Sequence, residues 1–134
     1  MTVALDSSAL LALHVEGAGR RIVLDALETD PVWVAAATAL GEAVVGGTRL
    51  AGDAVLARDI EDGIRRLWDH LHVVPLDAAM LDEAASLCAD QPVAFPLAVH
   101  LAAAARLPAP VRFVTFDSAQ IPVALALGLD VVSG

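Results

Sequence analysis

The sequence predicts a single α/β domain, a three-layer α/β/α sandwich built around a mostly parallel central sheet. Its length of 134 residues allows one domain with a full hydrophobic core. Short runs rich in valine alternate with longer segments whose apolar residues recur at helical spacing. Because strands joined by helices run parallel, this alternation predicts a parallel sheet covered by helices on both faces.

The first half of the chain predicts two strands and four helices. The Asp30-Pro31 pair ends the second helix, since the residue before a proline is pushed out of the α region. The second strand contains Trp33 between two valines, a composition that favours strands. In chain order we predict a strand at 3–5, helices at 8–15 and 20–27, a strand at 32–34, and helices at 35–50 and 52–71.

The second half predicts three strands and three helices. Asp77 is a predicted N-cap, and Pro96 falls near the first position of a helix, where a missing N–H costs little. The last helix is short, and we expect Pro122 to interrupt it. The predicted elements are a strand at 72–76, helices at 77–89 and 95–106, a strand at 111–115, a short helix after Asp117, and a strand at 130–132.

The composition is strongly apolar and acidic. Hydrophobic residues make up 57% of the chain, and the mean hydropathy is +0.68. This predicts apolar surface that a partner covers. The net charge is −9, and the eight basic residues are all arginine. Such a domain repels phosphate backbones, which excludes a free-standing nucleic-acid-binding module unless bound metal ions change the local sign.

The sequence carries no pattern of a membrane or secreted protein. No window approaches the roughly 18 unbroken apolar residues of a membrane span. No basic segment precedes an apolar one, so we expect no signal peptide. The single cysteine, Cys88, cannot form an internal disulfide. We therefore expect no membrane association and a cytoplasmic location.

Three acids are placed to meet at one edge of the predicted sheet. Asp6 follows the first strand, Asp117 follows the fourth, and Glu42 lies on the helix after the second. Clustered carboxylates repel one another, which indicates a bound cation or a shared proton. Carboxylate oxygens suit Mg²⁺ or Mn²⁺, ions that activate water for phosphodiester displacement. The alternative is helix capping, by Asp6 or by Asp117 with Gln120 three residues later.

Three segments carry a resemblance to a known family. They are LDSSAL at the front, TALGEAV in the middle and VTFDS near the end. Together with the order of elements, they resemble the PIN domain, and within it the VapC-type toxins of toxin–antitoxin pairs, over about residues 4–132. The resemblance implies an α/β/α fold, Mg²⁺- or Mn²⁺-dependent endoribonuclease activity on RNA, a homodimer, and inhibition by a cognate antitoxin protein.

The resemblance also implies site residues, with one departure. Where the family pattern has an aspartate three residues before His100, this chain has Leu97, and no nearby acid replaces it. An aliphatic side chain removes one ligand charge, so we expect either a weakened nuclease or an inactive PIN-like module that acts through protein–protein binding. The implied catalytic and metal-binding residues are Asp6, Glu42 and Asp117, with the hydroxyls of Ser8 and Thr115 supporting them.

A site built on histidine, or an enzyme class that uses a phosphorylated aspartate, is less well supported. His100 is expected to be packed and hydrogen-bonded, and no histidine has a matching Cys or acid cluster for zinc. Phospho-acceptor receiver domains and aspartate-nucleophile phosphatases need a lysine, which this chain lacks. We also expect an apolar groove or dimer face between residues 8–28 and the helix at 52–71, fitted to an amphipathic antitoxin segment.

Overall fold

The computed structural model describes residues 1–134 and contains one five-stranded parallel sheet. Each pair of neighbouring strands is parallel, and the strand order is β3-β2-β1-β4-β5. The chain enters at the centre of the sheet and fills one side before crossing to the other. The strands are β1 (Thr2–Leu5), β2 (Val32–Ala36), β3 (His72–Val74), β4 (Val111–Val114) and β5 (Asp130–Val132).

Seven α-helices connect the strands and cover both faces of the sheet. A single 3₁₀ turn, Ser118–Gln120, follows β4 and leads into the last helix. No single helix is long and apolar enough to span a membrane, although α5 and α6 reach that length and composition together across a 115° bend. The helices are α1 (Ser7–Ala12), α2 (Ala18–Thr29), α3 (Ala39–Ala51), α4 (Ala54–Trp68), α5 (Ala78–Asp90), α6 (Phe95–Ala105) and α7 (Ile121–Ala126).

Two hydrophobic cores lie on opposite faces of the sheet. In β1, Val3 and Leu5 enter the core formed with α1 to α4, whereas Ala4 enters the core formed with α5 to α7. In β4, Phe113 and Val114 divide between the two cores in the same way. Successive side chains of a strand point to opposite faces, so both faces of these strands contribute apolar residues to a core. The exception in β4 is Arg112, which pairs with Asp30 and Asp130. The predicted three-layer α/β/α sandwich with a parallel sheet is confirmed.

Several predicted boundaries were wrong in the first half of the chain. The second strand continues to Ala36 and α3 begins only at Ala39, because Ala35 and Ala36 are buried against both cores. The long helix begins at Ala54 rather than 52, since the side chain of Asp53 accepts a hydrogen bond from the amide of Leu56 at 2.7 Å and caps it. The first helix is shorter than predicted and the second longer.

The second half differs less from its prediction. The strand predicted at 72–76 ends at Val74, because Pro75 has no N–H to continue the ladder. Asp77 caps α5 as predicted, accepting from the amide of Met80 at 2.8 Å. Pro122 does not interrupt a helix but sits in the first turn of α7.

A glycine lets α4 approach the end of α1 closely. A Cβ added to Gly63 would lie 2.6 Å from Cδ2 of His14. His14 is held from the other side, since its Nδ1 lies 2.8 Å from the carbonyl oxygen of Leu10. The ring therefore fills the space between the two helices and cannot turn aside freely. This contact fixes α4 against the segment that follows the first strand.

We expect Gly63→Ala to destabilise the fold by about 1–3 kcal/mol, the usual cost of overpacking a filled site. The matched control is Gly41→Ala, an exposed helical glycine with nothing within 4 Å of an added Cβ. That substitution should stabilise by about 0.5–1 kcal/mol, because alanine restricts the unfolded chain and favours helix. Urea unfolding of both variants measures the difference, and a Gly63→Ala chain as stable as Gly41→Ala would contradict the packing.

The same contact predicts a pH dependence. Burial lowers the pKa of His14 from its ordinary value of 6.5, and Arg20 and Arg66 add to this effect, while carbonyl contacts from Leu10 and Gly63 oppose it. The unfolded chain then takes up a proton at His14 more readily than the folded one, so stability falls as pH falls through 6.5 and below. We expect His14→Gln to reduce this acid-side loss in urea unfolding, and His72→Gln on an exposed strand position to leave it unchanged.

Candidate functional site

The three predicted acids lie along the same edge of the sheet. Asp6 directly follows β1, Asp117 lies three residues beyond the end of β4, and Glu42 stands in the first turn of α3 after β2. Because β2, β1 and β4 are neighbours and parallel, their carboxyl ends meet at one edge. In parallel sheets this edge is where ligands bind and chemistry occurs.

Asp6 is completely buried, and four donors surround its carboxylate. Its Oδ1 accepts hydrogen bonds from the hydroxyl of Ser8 at 2.7 Å and from the amide of Ala9 at 2.8 Å. Its Oδ2 accepts from the hydroxyl of Thr115 at 2.6 Å and from Nε2 of Gln120 at 2.8 Å. The amide contact makes Asp6 the N-cap of α1, as one of the two alternatives predicted.

The two hydroxyl donors are themselves oriented by the backbone after β4. The oxygen of Ser8 accepts from the amide of Phe116 at 2.9 Å, and that of Thr115 accepts from the amide of Asp117 at 3.0 Å. A hydroxyl has one hydrogen to donate, and both hydroxyls give it to Asp6. Two short relays therefore run from the turn after β4 to the two oxygens of Asp6.

Glu42 is paired with a histidine. Nε2 of His100 on α6 lies 2.6 Å from Oε1 of Glu42, and the carboxylate can only accept, so the ring N–H donates. The histidine side chain is 1% exposed and the glutamate 36%. The prediction that His100 is packed and hydrogen-bonded is confirmed. Its partner was not predicted, because the two residues lie 58 positions apart in the sequence.

Asp117 caps the 3₁₀ turn that follows it. Its Oδ1 accepts from the amide of Ala119 at 3.0 Å, and the residue is half-buried. Gln120, three residues later, does not act as the capping partner of Asp117 that the sequence predicted. Gln120 turns its side chain inward to Asp6 and is completely buried. Sequence reasoning therefore missed Gln120 as a site residue, although a lone amide beside an apolar helix was a usable signal.

Leu97 lies on α6 one turn before His100 and is partly buried against the core that α5, α6 and α7 form with the sheet. It contributes packing where the family pattern has an acid. Nowhere in the chain do three or more His, Cys, Asp or Glu side chains form a group that could hold a metal ion. The predicted convergence of Asp6, Glu42 and Asp117 on one ion is therefore not found, and this donor set does not fit a directly coordinated Mg²⁺ or Mn²⁺.

Comparison with solved structures finds similar folds among toxin–antitoxin proteins. A toxin–antitoxin complex from Klebsiella pneumoniae has a TM-score of 0.70 at 18% identity, covering 97% of this chain and 95% of that one. VapC20 of Mycobacterium tuberculosis, a sarcin–ricin loop cleaving toxin, has 0.71 at 17%, covering 90% and 94%. FitAcB from Neisseria gonorrhoeae has 0.74 at 13%, covering 97% and 96%.

Identities this low establish a common fold alone. Comparison with curated protein sequences gave no match. The sequence profile of the PIN domain, in contrast, matches residues 3–132, nearly the whole chain. The order of the strands, the acids at their carboxyl ends and this match agree with one another, and the chain belongs to the PIN domain family.

Proposed function

We propose that this chain is a VapC-type toxin of a toxin–antitoxin pair, with a ribonuclease activity that is weak or undetectable at millimolar Mg²⁺. The observation that carries the expected low activity is Leu97, an aliphatic residue one turn before His100, the histidine that pairs with Glu42. The similar structures support the toxin assignment, since one is a toxin–antitoxin complex and another is the toxin VapC20. A homodimer, which the resemblance implies, is part of the same proposal.

The proposed substrate is RNA, and the proposed chemistry is phosphodiester hydrolysis assisted by Mg²⁺ or Mn²⁺. When bound, such an ion would activate water and offset the negative charge of the phosphate and of this acidic edge. The side chain of Glu42 is 36% exposed, and His100 fixes its orientation. Because the acids of this edge do not form a direct ligand set, such an ion would be held weakly and through water, and we expect Mn²⁺ to support more activity than Mg²⁺.

A second candidate function is a catalytically inactive PIN-like module that acts by binding a protein. The observation that favours it is that each retained acid already has a hydrogen-bond partner inside the chain. A domain of this kind would still bind an antitoxin. Recovery of RNA cleavage in Leu97→Asp separates the two candidates, whereas antitoxin binding is common to both.

We propose that the antitoxin binds in a groove between the early helices and the long helix. It has a volume of about 470 Å³ and runs between the segment after α1 and the corner where α3 meets α4. Leu50 and Leu56 line it and remain 61% and 45% exposed. The apolar lining fits the nonpolar face of an amphipathic segment. The other lining residues are His14, Val15, Glu16, Arg20, Ala51 and Ile60.

We expect Leu97→Asp to raise Mn²⁺-dependent cleavage of RNA by on the order of tenfold or more, because it adds a carboxylate that no internal donor holds. The measurement is the initial rate on a labelled RNA in Mn²⁺ and in Mg²⁺. Leu81→Asp, a partly exposed position on α5, is the matched control for an added charge and should change nothing. Asp6→Asn should remove any activity that the natural chain has.

Rapid RNA cleavage by the natural chain, at a rate that Leu97→Asp does not change, would contradict this proposal. Another group would then have to complete the site. No cleavage by either chain, together with tight antitoxin binding, would establish the inactive module instead.

Groove occupancy gives a separate prediction. The expected antitoxin is the product of a small reading frame adjacent to this one, and Leu50→Glu should weaken its binding by about tenfold or more, because a charge replaces an apolar contact. Leu125→Glu, a 60% exposed leucine on α7, is the control and should bind normally. Isothermal calorimetry of the purified pair measures both. Equal affinities for the two variants would place the antitoxin elsewhere.

A further inference from the structure

The hydrogen bonds of Asp6 leave no room for a directly bound cation. A carboxylate offers about four acceptor positions, and all four are used by Ser8, Ala9, Thr115 and Gln120. The donor distances lie between 2.6 and 2.8 Å, and Asp6 is completely buried. A cation bonded to Oδ2 would displace Thr115 or Gln120, both completely buried, and leave that donor unsatisfied in the interior, which is costly.

These donors cannot easily turn away. The hydroxyls of Ser8 and Thr115 each accept a backbone amide from the turn after β4, so rotating either one breaks two hydrogen bonds. Gln120 is completely buried, and its amide oxygen has no partner, so Asp6 provides the only side-chain hydrogen bond of that residue. The acceptor positions of the Asp6 carboxylate are therefore filled without a metal, while the amide oxygen of Gln120 is left unpaired.

Each of the two other acids accepts a hydrogen bond from a donor of its own. Glu42 accepts from His100, and Asp117 accepts from the amide of Ala119. Leu97, which stands where the family pattern has an acid, offers no oxygen. We infer that Asp6 is a structural anchor joining the turn after β1 to the turn after β4, and that this edge does not coordinate Mg²⁺ or Mn²⁺ directly. The assignment of Leu97 as the position of a missing acid rests on the proposed function. The anchor role of Asp6 rests on its hydrogen bonds alone.

The two roles of Asp6 predict opposite effects of neutralising it. An acid kept for metal binding is repelled by its neighbours when no metal is present, so its replacement by an amide stabilises the fold. If Asp6 is an anchor, its replacement by asparagine removes charge-assisted hydrogen bonds and turns an N–H₂ group toward other donors. In EDTA we expect Asp6→Asn to raise the unfolding equilibrium constant by on the order of 100-fold.

The control is Glu42→Gln, whose more exposed side chain keeps an oxygen for His100. We expect it to change the unfolding constant by less than about threefold, as is usual for exposed positions. Thr115→Val, which keeps the shape and removes one donor, should fall between the two variants. An Asp6→Asn chain as stable as the natural one in EDTA, or more stable, would overturn the inference.

Metal binding by the natural chain is a second test of the inference, and it can be measured even if Asp6→Asn does not fold. We expect isothermal calorimetry with MnCl₂ to give no saturable heat at millimolar concentration, and the melting temperature to stay constant. Saturable binding that Glu42→Gln or Asp117→Asn removes would contradict the inference. Antitoxin binding, measured separately, tests the proposed function, so a failure of one is distinguishable from a failure of the other.

Discussion

The buried carboxylate of Asp6 is the interaction on which this edge of the protein depends. It joins residues 109 and 114 positions away in the sequence, Thr115 and Gln120, to the turn that starts α1. Each hydrogen bond to a charged group contributes about 1.5–3 kcal/mol, and the desolvation of an ion costs several kcal/mol. Burial is therefore favourable only while most of the four donors stay in place, which makes the network cooperative.

This constraint also sets the electrostatics of the site. Three acids at one edge of a chain with net charge −9 would repel one another strongly if they shared one space. The structure relieves the repulsion by giving each acid its own partner: neutral donors for Asp6, an imidazole for Glu42 and a backbone amide for Asp117. Leu97 is consistent with this arrangement, because a fourth carboxylate would restore the repulsion that a cation normally offsets.

The sequence predicted which residues reach this edge but not how they are joined. Asp6, Glu42 and Asp117 were placed correctly because each follows a strand of a parallel sheet, a position that hydrophobic periodicity reveals. The partnership of Glu42 with His100 and the inward turn of Gln120 depend on packing between distant elements, which periodicity does not encode. The convergence of the acids on an ion was expected from their placement after the strands and from the resemblance, and the hydrogen bonds of Asp6 and the side chain of Leu97 explain why it is not found.

Strand and helix boundaries show the same division. Periodicity located all five strands, but the end of β2 at Ala36 is decided by burial against two cores, where alanine fits either a strand or a helix. The close contact of Gly63 with His14 was likewise invisible, because a glycine in a helical pattern indicates only a lower helix propensity. Hydrophobic periodicity therefore predicted the three-layer fold, and contacts between distant elements determined the details of the site.

A crystal structure grown in millimolar Mn²⁺, with anomalous diffraction measured at the manganese edge, shows directly whether this edge holds a metal ion. We expect no anomalous peak within bonding distance of two of the three acids. We also expect that Asp6 keeps its contacts with Thr115 and Gln120. A manganese ion bonded to Asp6 together with Glu42 or Asp117, with the amide of Gln120 displaced, would contradict the structural role of Asp6.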